Sequence, residues 1–258
     1  MNSIKVTILG CGSSGGVPCP GFGWGECDPH NPKNYRLRSS LLIESSETTL
    51  LIDTSPDLRL QLLAHNVKKI DAILYTHGHA DHTNGIDDVR PFYTLQQIPV
   101  PIYADESVLQ DLMHRFSYLF LENGKEPAIY RPFLVGCPLK KPHFCIRDLN
   151  GIAIPQDHRY STSFGFRFRD FAYSTDVYTL SEEALTVLSG VKIWIVGCLA
   201  AQESPSHARL DQVLSWVERL HPQRTILTHM NHTMDYNRLR KVLPPGVEPG
   251  FDGISIQI

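Results

Sequence analysis

Short runs of apolar residues, some alternating and some continuous, recur along the whole chain in the manner of β-strands. They span Lys5 to Leu9, Ser40 to Glu44, Thr49 to Ile52, Ala72 to Tyr75, Val100 to Tyr103, Gly151 to Pro155, Ser163 to Phe168, Phe171 to Ser174, Lys192 to Val196, Thr225 to Leu227 and Ile254 to Ile258. Helical patterns with start signals interleave with them. Ser55-Pro56 precedes one over Asp57 to Ala64, Asp105 precedes one over Glu106 to Phe120, and Ser181-Glu182-Glu183 precedes one over Ala184 to Leu188. The clearest runs from Ala208 to Leu220, where Leu210, Val213, Leu214 and Val217 form an apolar stripe for docking on a sheet. Helices packed on sheets predict an α/β (α+β) fold class. Two stretches lack regular periodicity. Gly10 to Asn34, rich in Gly and Pro, reads as loop; Pro91 to Asn150 reads as a lid or insertion carrying one helix.

No fixed-period repeat or Ser/Gly linker divides the chain, so residues 1–258 read as one domain. With 42% hydrophobic and 20% charged residues, the composition supports a sizeable core. A net charge of −3 provides no broad basic field, which disfavours a nucleic-acid partner. The start lacks a signal-peptide pattern and no later run reaches membrane-span length, predicting a soluble, cytoplasmic chain with no membrane partner. Six cysteines without a Cys-x-x-Cys pair predict reduced thiols.

The twelve histidines are more informative because they cluster. Tyr75-Thr76-His77-Gly78-His79-Ala80-Asp81-His82 leaves a strand and carries three imidazoles and a carboxylate in six residues. On such a turn His77 and His79 share one side, while Asp81 and His82 begin a helix and face a neighbouring position, so one segment can serve two metals. Further candidates lie just past strands: His158 after Gly151 to Pro155, Asp176 after Phe171 to Ser174, and His229 after Thr225 to Leu227. Ligands gathered from several strand ends sit on rigid elements.

This set, His77-x-His79-x-Asp81-His82 followed by His158, Asp176 and His229, resembles the metallo-β-lactamase superfamily. The likeness runs from Gly10-Cys11-Gly12-Ser13-Ser14-Gly15 through Leu51-Ile52-Asp53-Thr54 to the end. It implies an αββα sandwich with a dinuclear site between two sheets. Tyr35-Arg36-Leu37-Arg38, Leu227-Thr228-His229-Met230-Asn231-His232 and Gly250-Phe251-Asp252-Gly253 further resemble the PhnP-like phosphoribosyl cyclic phosphodiesterases. The resemblance assigns His77, His79 and His158 to one ion, Asp81, His82 and His229 to a second, and Asp176 to both. A ligand set of imidazole and carboxylate suits two divalent ions, zinc or manganese, with a hydroxide between them as nucleophile. Asp81 and His207 are the expected catalytic residues. His207 stands at the start of the Ala208 to Leu220 pattern, where a helix N-terminus favours an anion, and the resemblance makes it a substrate contact that protonates the leaving alkoxide. Asp53 is expected either to hold a ligand histidine or to form a turn.

The PhnP-like pattern also has a Cys-x-Cys-x-x-Cys loop that holds a structural zinc together with a histidine. Here Cys27 and His232 stand at two of those positions but Phe22 and Trp24 at the others. No third ion is expected there, and the two aromatics are expected to pack on the sheet instead. The resulting expectation is a metal-dependent hydrolase of a small cyclic or nucleotide-like phosphodiester. The alternatives are a tRNA 3′-processing nuclease, a lactone or thioester hydrolase, and a non-catalytic accessory protein of the same fold.

Overall fold

The apolar runs assemble into two sheets in a computed structural model that describes residues 3–120, 132–202 and 204–258. The first takes β1 (Lys5–Gly10), β2 (Ser40–Glu44), β3 (Thr49–Ile52), β4 (Ala72–Leu74), β5 (Val100–Ala104) and β6 (Leu134–Pro138). The second takes β7 (His143–Ile146), β8 (Leu149–Asp157), β9 (Thr162–Phe168), β10 (Phe171–Ser174), β11 (Ile193–Gly197), β12 (Arg224–Thr228) and β13 (Val247–Pro249), and the last strand, β14 (Ser255–Gln257), returns to pair with β1. The strand orders are β14-β1-β2-β3-β4-β5-β6 and β13-β12-β11-β10-β9-β8-β7. Each sheet is mixed. β3 to β6 run parallel and so do β10 to β13, and the inner ones, β3, β4, β10, β11 and β12, read as continuous apolar runs because both of their faces are covered.

Helices α1 (Leu58–Ala64), α2 (Ala80–Thr83), α3 (Arg90–Gln96), α4 (Glu106–Arg115), α5 (Glu182–Leu188), α6 (Leu210–Leu220) and α7 (Tyr236–Val242) complete the layers. The strand alternation sorts the core. Leu9, Leu42, Leu51, Ile73 and Ile102 turn outward to Leu58 and Leu62 of α1, Phe92 of α3 and Leu109 and Leu112 of α4. Val6, Ile8, Leu41, Ile43, Leu50 and Ile52 turn inward and join Phe166, Phe168, Tyr173 and the residues of α5, α6 and α7 packed on the second sheet. The result is the helix, sheet, sheet, helix sandwich of the α/β expectation. Among the described residues no helix is long and apolar enough to cross a membrane.

Several boundaries differ from the pattern. Pro91 to Asn150 carries more than the one helix expected of a lid or insertion: its described residues hold most of α3, all of β5, α4, β6 and β7, and the start of β8, while 121–131 lie outside the described residues. β6, β7 and β13 escaped notice because edge strands are short and carry Gly, Pro and exposed polar positions, which blur the apolar period. The helix expected over Glu106 to Phe120 stops at Arg115, where Phe116 leaves helical geometry before a 3-10 turn at Ser117–Leu119. α6 starts at Leu210 rather than Ala208. The Ala208 N–H donates to the Val177 carbonyl and Arg209 bridges Ala200, so both residues are held extended.

Candidate metal centre

Five strand ends converge on one edge of the sandwich. β4 leads through Tyr75 and Thr76 to His77, β8 into His158, β10 through Thr175 to Asp176, β12 into His229, and β3 into Asp53. Asp53 and His229 both turn off their strands with positive φ, 61° and 55°, a conformation uncommon outside glycine, and both side chains face the cluster. His79 caps α2, which begins at Ala80 and carries Asp81 and His82.

The geometry separates the residues into two groups. His77, His79, His158 and Asp176 bring one ligand atom each within 4.8 Å of one another, and so do Asp81, His82, Asp176 and His229. Asp176 belongs to both. Its Oδ2 lies 3.4 Å from His82 Nε2, 3.7 Å from His77 Nε2 and 3.9 Å from His158 Nε2, while its Oδ1 lies 3.1 Å from His229 Nδ1. The carboxylate is almost fully buried, as are His77, His82, His158 and His229.

Outer hydrogen bonds set the ring orientations. His82 Nδ1 lies 2.7 Å from Asp53 Oδ2 and His158 Nδ1 lies 2.8 Å from the Ser206 carbonyl, so each donates outward from Nδ1 and turns Nε2 inward. Thr76 spends its one hydroxyl proton on Asp53 Oδ2, at 2.8 Å, and therefore accepts from His77 Nδ1 at 2.9 Å. Ser39 likewise donates to the Gly12 carbonyl and sits 3.1 Å from His229 Nδ1. His77 Nε2 and His82 Nε2 are left buried without any hydrogen-bond partner. Two orphaned imidazole nitrogens beside buried carboxylates are what a site built for cations requires. Arg115, at the end of α4, fastens the loop from outside, donating to the Gly78 carbonyl at 2.8 Å and to Thr83 Oγ1 at 3.2 Å.

The electrostatics agree. Burial works against a charge on His82, but Asp176, Asp53 and Asp81 together push its pKa well above the ordinary imidazole value. Burial, aided by the His82 charge, drives His77 well below that value, and burial brings His229 down to about 4. Burial also opposes ionisation of Asp176, yet His229 and His82 hold it well below the usual carboxylate range.

All of the residues singled out from sequence meet here. His207 meets them as well, although not on a helix terminus. It lies on the bend that precedes α6, with Nε2 3.2 Å from Asp176 Oδ2 and its ring stacked on His229 at 5.0 Å. Asp53 holds a histidine rather than merely forming a turn. Sequence reading missed Ser39, Thr76, Ser206 and Arg115; only Thr76, adjacent to His77, carried any local signal. At the other predicted place, Phe22 does not pack on the sheet: it is 69% exposed and stacks on His232 with centroids 4.7 Å apart. Trp24 is only half-buried. The Gly-rich loop holds these rings at the surface, and the buried Cys27 thiol receives Arg36 Nη1 at 3.9 Å.

Residues 48–230 match the family model described as beta-lactamase superfamily domain. The chain belongs to the beta-lactamase superfamily. Within it the chain is similar to a structure described as a new diphosphatase from the PhnP family, with a TM-score of 0.91, 32% identity and coverage of 100% of this chain and 98% of the other. A Zn(2+)-bound PqqB from Methylobacterium extorquens shares the superfamily fold at a TM-score of 0.74 and 17% identity, covering 98% of this chain and 99% of that one. An octanoyltransferase from Porphyromonas gingivalis is 30% identical over 256 residues, which is 98% of this chain and 51% of the relative. The chain thus spans about half the length of that curated relative.

Proposed function

We propose that this chain is a metal-dependent hydrolase using two divalent ions, zinc or manganese, on a small cyclic or nucleotide-like phosphodiester. The observation that carries the reading is the pair of four-residue groups sharing the buried Asp176. His77, His79, His158 and Asp176 would hold one ion; Asp81, His82, His229 and Asp176 would hold the other. When bound, such ions supply Lewis acidity and a water activated at neutral pH. The protein's part is orientation. Asp53, Thr76 and the Ser206 carbonyl turn the inner imidazole nitrogens toward the cluster, and burial of His77, His82, His158, Asp176 and His229 shields its inner side while His79 stays exposed. His207, at 17% side-chain exposure, bridges the buried cluster and solvent, with Ser206 Oγ on Nδ1 at 3.1 Å. Its Nε2 is placed to carry the proton that a departing alkoxide needs.

The full-length similarity to a PhnP-family diphosphatase supports chemistry at phosphorus. The octanoyltransferase has a second half without counterpart here, so acyl transfer need not reside in the shared half. A net charge of −3 supports a small-molecule substrate over nucleic acid. The test combines metal analysis of gently purified protein with a screen against bis-para-nitrophenyl phosphate, cyclic phosphodiesters, lactones and thioesters. Two ions per chain and phosphodiester turnover above the rest are expected. One ion or none after reconstitution, or lactone hydrolysis far above phosphodiester hydrolysis, would overturn the reading.

A further inference from the structure

The carboxylate shared by the two ligand groups rests on a set of buried hydrogen bonds from residues that are not ligands themselves. Thr175 Oγ1 donates to Asp176 Oδ1 at 2.7 Å. Ser163 Oγ donates to the Asp176 carbonyl at 2.6 Å, and Gln156 Nε2 donates to Ser163 Oγ at 3.2 Å and to the Thr175 carbonyl at 3.4 Å. Gln156 and Ser163 are register partners across β8 and β9, and Thr175 follows β10, so three neighbouring strands contribute one side chain each. All three are shut off from solvent, at 2%, 0% and 0% exposure.

Proton counting fixes their directions. The Ser163 hydroxyl gives its one proton to a carbonyl and can only accept from Gln156, which turns the Gln156 amide with Nε2 toward Ser163 and Thr175. Gln156 Oε1 is left buried without a partner, and Gly165 keeps room for it, since a Cβ there would lie 2.6 Å from that oxygen. An apolar side chain would avoid the cost of an unpaired buried oxygen, so what this glutamine contributes is its two donors, and both act on the segment carrying Asp176. Thr175 acts on the carboxylate itself. The last torsion of an aspartate is broad, so a partner has to set how the two oxygens are turned. Thr175 holds Oδ1 on its own side, and Oδ2 is thereby turned to the Nε2 atoms of His207, His82, His77 and His158 at 3.2, 3.4, 3.7 and 3.9 Å.

We propose that Thr175, backed by Ser163 and Gln156, is a positioning residue for both ions: its hydroxyl sets the rotation of the shared carboxylate, so its loss weakens the two sites together. The inference rests on the two-ion reading and is tested by binding rather than turnover. Metal-loaded protein is titrated with a competing chelator while the zinc or manganese retained is counted, and urea unfolding in excess chelator follows the stability of the protein without ions. Thr175→Val keeps the branched shape and loses the hydroxyl; it should release both ions with about 10- to 100-fold weaker affinity. Thr175→Ser keeps the hydroxyl and should hold both ions nearly as tightly as the native chain, while Ser163→Ala should weaken both by less than Thr175→Val does. Native affinity for both ions in Thr175→Val, weakening of one ion alone, or equal weakening in the Val and Ser variants would overturn the inference, as would a loss confined to urea stability. Should Thr175→Val fail to fold, Ser163→Ala decides, and unchanged affinities in that variant would overturn it. A native chain that holds a single ion would instead break the two-ion reading; the positioning role then stands or falls on whether Thr175→Val weakens that ion, because Asp176 belongs to either group.

Discussion

His229 and His232 stand three residues apart after the same strand, yet they belong to opposite kinds of surroundings. His229 is buried, with Ser39 and Asp176 on its Nδ1 and His82 and His207 against its ring faces. His232 is partly exposed, and Phe22 covers its ring from the solvent side. Residue type alone does not make a ligand. A histidine becomes one where an outer partner fixes its ring, carboxylates balance a cation, and other ligands converge on the same point. The first turn provides all three, whereas around the second Arg36 brings a positive charge to Cys27 and Phe22 and Trp24 offer no donor atoms.

The largest effect expected from testing this contrast is that of Asp176→Ala. Because Asp176 belongs to both groups, its loss should deplete both ions and lower activity by more than the roughly 10- to 100-fold that losing an outer partner costs. Retention of two ions by that variant, measured by elemental analysis, would remove the bridging role. Next comes His207→Ala, for which turnover should fall by roughly 10² to 10⁴ with ion content intact. An unchanged rate would leave His207 as a mere neighbour. Asp53→Asn tests the orienting partner. It puts an amide where His82 Nδ1–H donates, and metal affinity by chelator competition should drop by about 10- to 100-fold. An affinity equal to that of the unaltered protein would show that the imidazole needs no anchor.

Two smaller effects concern stability away from the ions. Asp252 accepts the Cys11 and Leu37 amides, at 3.0 and 2.7 Å, but burial still raises its carboxyl to about 7. Between its ordinary value of 3.8 and about 7, the folded state therefore binds a proton that the unfolded state has released. Stability contributed by this group falls as pH rises through that window, by at most about 1.4 kcal/mol per unit. Urea unfolding of the native protein and Asp252→Asn at pH 5 and 7 should show the native protein losing stability relative to the variant; parallel pH dependence would contradict the assignment. Last, Phe22→Ala should cost less than about 1.5 kcal/mol and leave the ion content unchanged, since its largely exposed ring stacks on His232 at the surface. A tightly held ion lost in Cys27→Ala while the pair at Asp176 persists would erase the contrast between the two turns.

Much of this was legible in the chain. The cluster from His77 to His82 is contiguous, and candidates placed just past apolar runs declare themselves because central parallel strands are uninterrupted in hydrophobicity. The least legible parts were β6, β7 and β13, whose edge positions demand no apolar period, and the start of α6, which backbone pairing of Ala208 and Arg209 delays beyond the apolar stripe. The burial expected of Phe22 failed because aromatic character says how much area a side chain offers, not whether the loop carrying it reaches the sheet.

By itself the sequence determined that strands and helices alternate into layers, that reduced cysteines and a mildly acidic surface accompany them, and that seven ligand-type residues follow strand ends. Those are local properties, set by period, composition and neighbouring residues. Only the tertiary structure decided that Asp176 lies in both groups, that Ser39, Asp53, Thr76 and the Ser206 carbonyl aim the rings, and that His207 reaches Asp176. Apart from Thr76 beside His77, each of these joins segments far apart in the chain, and their distances are set by how two twisted sheets pack face to face, which no window of neighbouring residues encodes.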